Sequence, residues 1–239
     1  MSAPLARRNP VAKLVAALVL TLVLLATLDP LTPALFLAVE VAALPLFGIS
    51  PATLVRRGWP VLLTAAGIAV AQQLFGTGGW FASAGLALRV LAVAVPGIIV
   101  FASTDPTDLA DALVQNARLP ARFAIGTLAA FRLVPLLSEE WQLLILARRA
   151  RGVDAGRNPL AHARLFASLT FGLLVGAIRR GTRLATAMDA RGFDSGAPRT
   201  YARRAHFGVA DAALIAVAVL LAVALPAATI GLGVFQPAY

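Results

Sequence analysis

No cysteine occurs among the 239 residues, so neither a disulfide framework nor a thiolate metal site is available to this chain. Histidine occurs only twice, too few to form a metal cluster by itself. Lysine occurs once, as Lys13, yet the net charge is +10, so arginine carries almost all of the positive charge. Those arginines lie between and beside apolar stretches and not in a basic face interleaved with aromatic rings, which is not the pattern of a nucleic-acid binder. Charged residues of both signs make up only 13% of the chain, whereas 59% is hydrophobic and the mean hydropathy is +0.83. Ordinary soluble domains are roughly half apolar at most. The composition is that of a polytopic, all-α membrane protein.

Apolar runs and punctuating residues predict the spans. Val11 to Leu28 is nearly unbroken Leu, Val and Ala and is long enough for a bilayer, which needs about 20 residues. Arg7 and Arg8 precede it, but no small-residue cleavage site follows cleanly, so it reads as a retained helix and not as a signal peptide. After Asp29-Pro30 the chain returns through Leu31 to Phe47, a run interrupted by Glu40 and Pro45, and exits at Ser50-Pro51. Val61 to Phe75, carrying Gln72 and Gln73, and Ala84 to Ser103, carrying Arg89 and a Pro96-Gly97 kink, form a third and fourth span. Val209 to Val234 is the last. Positive residues gather at the N-terminus, at Arg56 and Arg57 and after Ser103, and are missing from the intervening turns and the C-terminal tail. Positive-inside bias therefore places the N-terminus and the region after Ser103 in the cytoplasm.

Composition changes between Thr104 and Arg204. Thr104-Asp105-Pro106-Thr107-Asp108 reads as a helix start, with Asp105 as N-cap, Pro106 at the first helical position and Asp108 as the reciprocal acid of a capping box. Two long helical segments follow, Ala121 to Arg151 and Pro159 to Arg191, each about 45 Å long if straight. Arg132, Glu139, Glu140, Arg148 and Arg149 break the first, and the apolar part of the second is confined to Leu165 to Ile178. That pattern suits helices lying along, or dipping into, the cytoplasmic face.

Each of these segments closes on the same phrase. Ala150-Arg151-Gly152-Val153-Asp154-Ala155-Gly156 and Ala190-Arg191-Gly192-Phe193-Asp194-Ser195-Gly196 agree at five of seven positions. Glycine adopts the left-handed conformation that stops a helix, and arginine in the last turn is favoured by the negative end of the helix dipole. The expected product is a fixed guanidinium on a blunt helix tip, built twice, with an alanine beside it that lets a partner's backbone approach. A guanidinium fork suits a carboxylate on that partner.

The paired Ala-Arg-Gly motifs, the Thr104-Asp105-Pro106 helix start and Arg132-Leu133-Val134-Pro135 resemble the transmembrane component T of energy-coupling factor (ECF) vitamin and metal transporters. The resemblance covers most of the chain and is strongest from Thr104 to Gly196. It implies a multi-pass protein of the bacterial inner membrane with about five transmembrane helices: four in residues 1–103, a cytoplasmic coupling-helix region in 104–204, and a final span in 205–239. It also implies no catalytic residues, no metal site and no cofactor in this chain. ATP and magnesium would be bound by two ABC-type ATPase subunits, and a small membrane subunit would capture a vitamin or a transition-metal ion. Ala150, Arg151 and Gly152 would engage one ATPase and Ala190, Arg191 and Gly192 the other, with Asp154, Gly156, Asp194 and Gly196 as supporting positions. Small residues such as Ala129, Ala130, Gly172 and Gly176 suit close packing, against the capture subunit or within the chain.

Two other readings use different residues. In a stand-alone permease, Glu40, Gln72, Gln73 and Arg89 would line a pathway, or Glu40 and Arg89 would pair across two helices. In an intramembrane transferase, Asp105, Asp108 and Asp111 at helical spacing would hold magnesium against a pyrophosphate substrate.

Overall fold

The structure is a computed structural model that describes residues 3–27, 29–76, 78–153, 156, 158–193, 195 and 200–233. The described residues form eight α-helices and no strand: α1 (Pro10–Leu25), α2 (Leu31–Ala43), α3 (Pro51–Phe75), α4 (Gly79–Ala102), α5 (Pro106–Gln115), α6 (Ala121–Ala150), α7 (Pro159–Ala190) and α8 (Val209–Gly231). The chain divides into two compact units, Met1–Leu119 with Arg204–Tyr239, and Pro120–Arg203.

Among the described residues five helices are, by length and composition, long and apolar enough to cross a membrane, namely α3, α4, α6, α7 and α8. The number agrees with the sequence expectation, but the membership differs. The first two predicted spans fold as shorter apolar helices. α1 stops at Leu25, where the Ala26 N–H turns back to the Val23 carbonyl and Arg89 donates to the Leu25 carbonyl. α2 tightens into a 3-10 turn, Leu44–Phe47, that ends on Gly48 at φ +73°.

The third predicted span starts ten residues earlier than expected. Ser50, taken as an exit, is the N-cap of α3: its hydroxyl accepts from the Thr53 N–H and Pro51 occupies the first turn. The helix therefore runs through Arg56, Arg57 and Pro60. Charges at its start do not stop a helix whose backbone donors are already capped. α6 and α7 were set apart from the spans by their charges. Both nonetheless contain an 18-residue stretch with no more than two charged residues, of mean hydropathy 1.3 and 1.5 respectively.

In the first unit α4 packs against α1, α2 and α3, while α8 packs against α1 and α2. Between apolar helices in lipid there is little hydrophobic drive, so close approach of small residues supplies the packing. Ala12 and Ala16 on α1 and Ala218 and Ala222 on α8 are buried at four-residue spacing, the small-xxx-small pattern that such packing requires. A Cβ at Gly85 on α4 would stand 3.1 Å from the Pro30 side chain, so any larger residue there would need Pro30, at the start of α2, to give by a few tenths of an ångström. Larger side chains fill the remaining space, with Leu24, Phe36 and Ala92 in one cluster and Leu44, Ile49, Val95 and Ile99 in another. The Thr32 and Thr229 hydroxyls bond at 3.0 Å, linking α2 to α8.

The second unit is the α6–α7 pair. Arg148 donates to the Ser168 hydroxyl at 2.9 Å, the Trp141 and Phe166 rings meet edge to face at 5.4 Å, and Arg180 pairs with Glu140. A pocket beyond them is lined by Ile125 and Leu128 of α6 and by Leu184 and Met188 of α7. Later α6 residues meet earlier α7 residues, so the helices are antiparallel.

Candidate functional site: two matching helix ends

The two Ala-Arg-Gly phrases fold to the same backbone. Arg151 has φ −89° and ψ 8°, and Arg191 has φ −89° and ψ 7°. Gly152 and Gly192 both have φ +74°. At the first end, the Gly152 N–H donates to the Arg149 carbonyl at 2.9 Å and the Val153 N–H to the Arg148 carbonyl at 3.0 Å. At the second, the Gly192 N–H donates to the Asp189 carbonyl at 2.9 Å and the Phe193 N–H to the Met188 carbonyl at 3.0 Å. These nested bonds satisfy the last helical carbonyls, and they need a left-handed residue that glycine adopts without steric cost.

Ala150, Arg151 and Gly152 are exposed, as are Ala190, Arg191 and Gly192. Among the described residues neither Arg151 nor Arg191 has an ion-pair partner. Each guanidinium thus stands on a rigid stop, uncovered by the rest of the described chain and able to bind a carboxylate from another chain. Because α6 and α7 are antiparallel, the two ends lie at opposite extremities of the pair. Of the supporting positions, Gly156 is exposed at φ +52°, while Asp154, Asp194 and Gly196 lie outside the described residues. Of the small residues singled out for packing, Gly176 faces α6, with a built Cβ 3.7 Å from a Glu140 oxygen. Ala129 lines the α6–α7 pocket, and nothing lies within 4 Å of a Cβ built at Gly172.

The Thr104 to Asp108 segment begins α5 as the residue pattern indicates. The Asp105 carboxylate accepts from the Thr107 N–H at 2.7 Å, Pro106 opens the helix and Asp108 sits in its first turn. Asp105, Asp108 and Asp111 line one cleft of about 190 Å³ together with Arg7, Arg8 and Lys13. Among the described residues no three acidic or histidine side chains converge as metal ligands. Two of the permease residues take separate partners. Arg89 bonds to Leu25 and not to Glu40, and the Gln73 carbonyl accepts from Ser83 at 3.1 Å.

A buried polar knot escaped the residue reading. Lys13 is 2% exposed, and its Nζ donates to the Ala6 carbonyl at 2.7 Å and the Ser103 carbonyl at 2.9 Å. Asn9 caps α1, donates its side-chain amide to the His206 carbonyl at 3.0 Å and gives its backbone N–H to Asp211 at 3.0 Å. The other Asp211 oxygen accepts from the Gly208 N–H at 2.9 Å. One cluster therefore ties together the starts of α1, α5 and α8 and the end of α4. A lone lysine within an apolar run is costly unless it is used, and that was the available signal. Asn9 before Pro10 and Asp211 in a first turn are recognisable helix-start residues.

These features define a helical, multi-pass membrane protein that presents two equivalent cationic helix ends. A family model described as cobalt transport protein matches residues 1–202. The energy-coupling factor transporter transmembrane protein EcfT of Limosilactobacillus fermentum is 30% identical over 241 residues, covering 91% of this chain and 90% of that one. The protein of the same name from Bacillus selenitireducens is 29% identical over 178 residues, 70% of this chain and 66% of the relative. EcfT 1 of Listeria monocytogenes is 30% identical over 186 residues, 68% of each. The chain belongs to this CbiQ/EcfT family and is the transmembrane component of an ECF transporter, a complex of several subunits.

Proposed function

We propose that the chain is the non-catalytic scaffold that couples two ABC-type ATPase subunits to a small substrate-capturing membrane subunit. Arg151 docks on one ATPase and Arg191 on the other, each guanidinium bound by carboxylates in a groove that also receives the neighbouring alanine and glycine. The observation that carries this reading is the identity of the two ends in dihedral angles, hydrogen bonds and exposure. Two copies of one surface suit two equivalent partners that present the same groove twice. ATP and magnesium bind in those partners, and their closure moves the ends as a hinge or shear of rigid helices.

The coupling region comprises residues 104–204. Thirteen of the 21 basic residues fall between 120 and 203, and this bias favours the cytoplasmic side of a bacterial inner membrane for that segment and for the N-terminus. The cargo is a transition-metal ion or a vitamin. The description of the matching family as a cobalt transport protein supports the first, and the ECF relatives keep the second open. The test is co-purification and uptake: Arg151→Ala with Arg191→Ala should release the ATPases and abolish transport. Unaltered co-purification and uptake in the double variant would remove the proposal.

A further inference from the structure

We propose that the cavity enclosed by α1, α2, α4 and α8 binds an amphiphile with an apolar chain and a primary ammonium head, and that Glu40 is the residue that holds the head. The cavity measures about 390 Å³, within the range of roughly 300–1,000 Å³ typical of small-molecule sites. Its wall is apolar, with Ala16, Ala43, Phe47, Ile99 and Leu214 contributed by all four helices and the turn that follows α2. Two charged residues reach it, Lys13 and Glu40.

They differ in how their polar atoms are used. The Lys13 ammonium is bonded to the Ala6 and Ser103 carbonyls. Glu40 is 5% exposed, and neither of its carboxyl oxygens has a hydrogen-bond partner among the described residues. Arg89, the other cation on these helices, is bonded to Leu25. A buried carboxyl with two unpaired oxygens is costly, and an intramembrane acid is functional by default. A primary ammonium supplies three donors and a positive charge at once, and charge-assisted bonds are about twice as strong as neutral ones.

Position adds to the chemistry. Glu40 lies seven residues before Phe47, about 10 Å along the helix, and the Leu46 carbonyl of that end accepts from the Leu5 N–H at 3.0 Å. The carboxyl thus lies about two helical turns from the end against which the N-terminal segment packs, beside an apolar wall that an alkyl chain could follow. A bilayer aminophospholipid and a free long-chain amine share this chemistry. The inference is independent of ATPase docking, which uses the other unit.

The experiment is native mass spectrometry of the assembled transporter in detergent, titrated separately with phosphatidylethanolamine, phosphatidylcholine and dodecylamine. Glu40→Gln and the cavity-filling Ala43→Leu are compared with the parent, and detergent elution and thermal unfolding verify that each folds. Saturable binding of phosphatidylethanolamine, about tenfold weaker in Glu40→Gln and blocked by Ala43→Leu, supports the site with a lipid source. The same pattern for dodecylamine alone supports it with a free amine. Equal retention of phosphatidylcholine, binding unchanged by Glu40→Gln, or no saturable binding of either amine overturns it.

Discussion

The side-chain carbonyl of Gln115 accepts the backbone N–H of Ala205 at 2.9 Å across ninety residues of sequence. Gln115 ends α5, just before the chain leaves the first unit, and Ala205 follows its return at Arg204. The outgoing and returning strands are therefore fastened side by side. Gln115→Ala removes a bond worth about 1 kcal/mol, so we expect ATP hydrolysis by the assembled transporter to persist while uptake per ATP falls several-fold. Proteoliposomes in which both rates are followed provide the check; an unchanged ratio argues against a role for this bond in coupling.

Arg151→Ala and Arg191→Ala should each weaken ATPase association about 10- to 100-fold, the range expected for losing a charge-assisted hydrogen bond of about 1.5–3 kcal/mol. Arg→Lys at either position keeps the charge but loses the fork and should recover only part of the affinity. Binding isotherms at two salt concentrations would separate the two contributions.

Gly152→Ala and Gly192→Ala change no charge. Both positions hold φ at +74°, where a Cβ costs about 1 kcal/mol. At Gly192 the nearest atoms to a built Cβ are those of Ser195 at 3.6 and 3.7 Å, and at Gly152 nothing lies within 4 Å. The cost is thus in the backbone alone, and the two substitutions should reduce docking to a similar degree. A large difference between them would mean that the two ends are not equivalent in the complex.

Lys13→Met leaves the Ala6 and Ser103 carbonyls without their buried donor, and Asp211→Ala leaves the Asn9 and Gly208 N–H groups without their acceptor. Each unsatisfied buried group costs roughly 1–3 kcal/mol. Both variants should unfold in detergent at a lower temperature than the parent, with the isolated α6–α7 chemistry untouched. A melting curve that does not move would show that the knot is dispensable.

The legible parts were those encoded locally. Gly152 and Gly192 announce helix stops because one residue type fits the left-handed angle, and Asp105-Pro106 announces a helix start because cap and first turn are adjacent in sequence. Ser50-Pro51 carries the same kind of signal, but Arg56 and Arg57 separate it from the apolar run that begins at Val61, so the span expected from hydropathy starts ten residues after the helix does. α6 and α7 carry charges along the whole segment that set them apart from the other apolar helices, and each also holds an 18-residue window that meets the length and composition of a crossing. The knot was illegible for a different reason. Lys13 bonds to backbone carbonyls, one of them ninety residues away, and a carbonyl has no letter in the sequence. Glu40 stands out as an acid in an apolar run, but Arg89, which could pair with it across two helices, turns instead to Leu25.

Glu140 stands eleven positions before Arg151, and Arg180 stands eleven positions before Arg191. Eleven residues are about three helical turns and about 16 Å, so each member of the ion pair lies on the same side of its helix as the cation at the tip. The pair therefore stands about equally far from the tip of each helix. Reversing one charge, Glu140→Arg, should loosen the contact between the helices and lower uptake at a stability change below about 1 kcal/mol, since the pair is a third exposed. Exchanging both, Glu140→Arg with Arg180→Glu, should restore uptake. If the two tips dock as proposed above, this one contact is equidistant from both docking points, and its loss should affect the two ends alike.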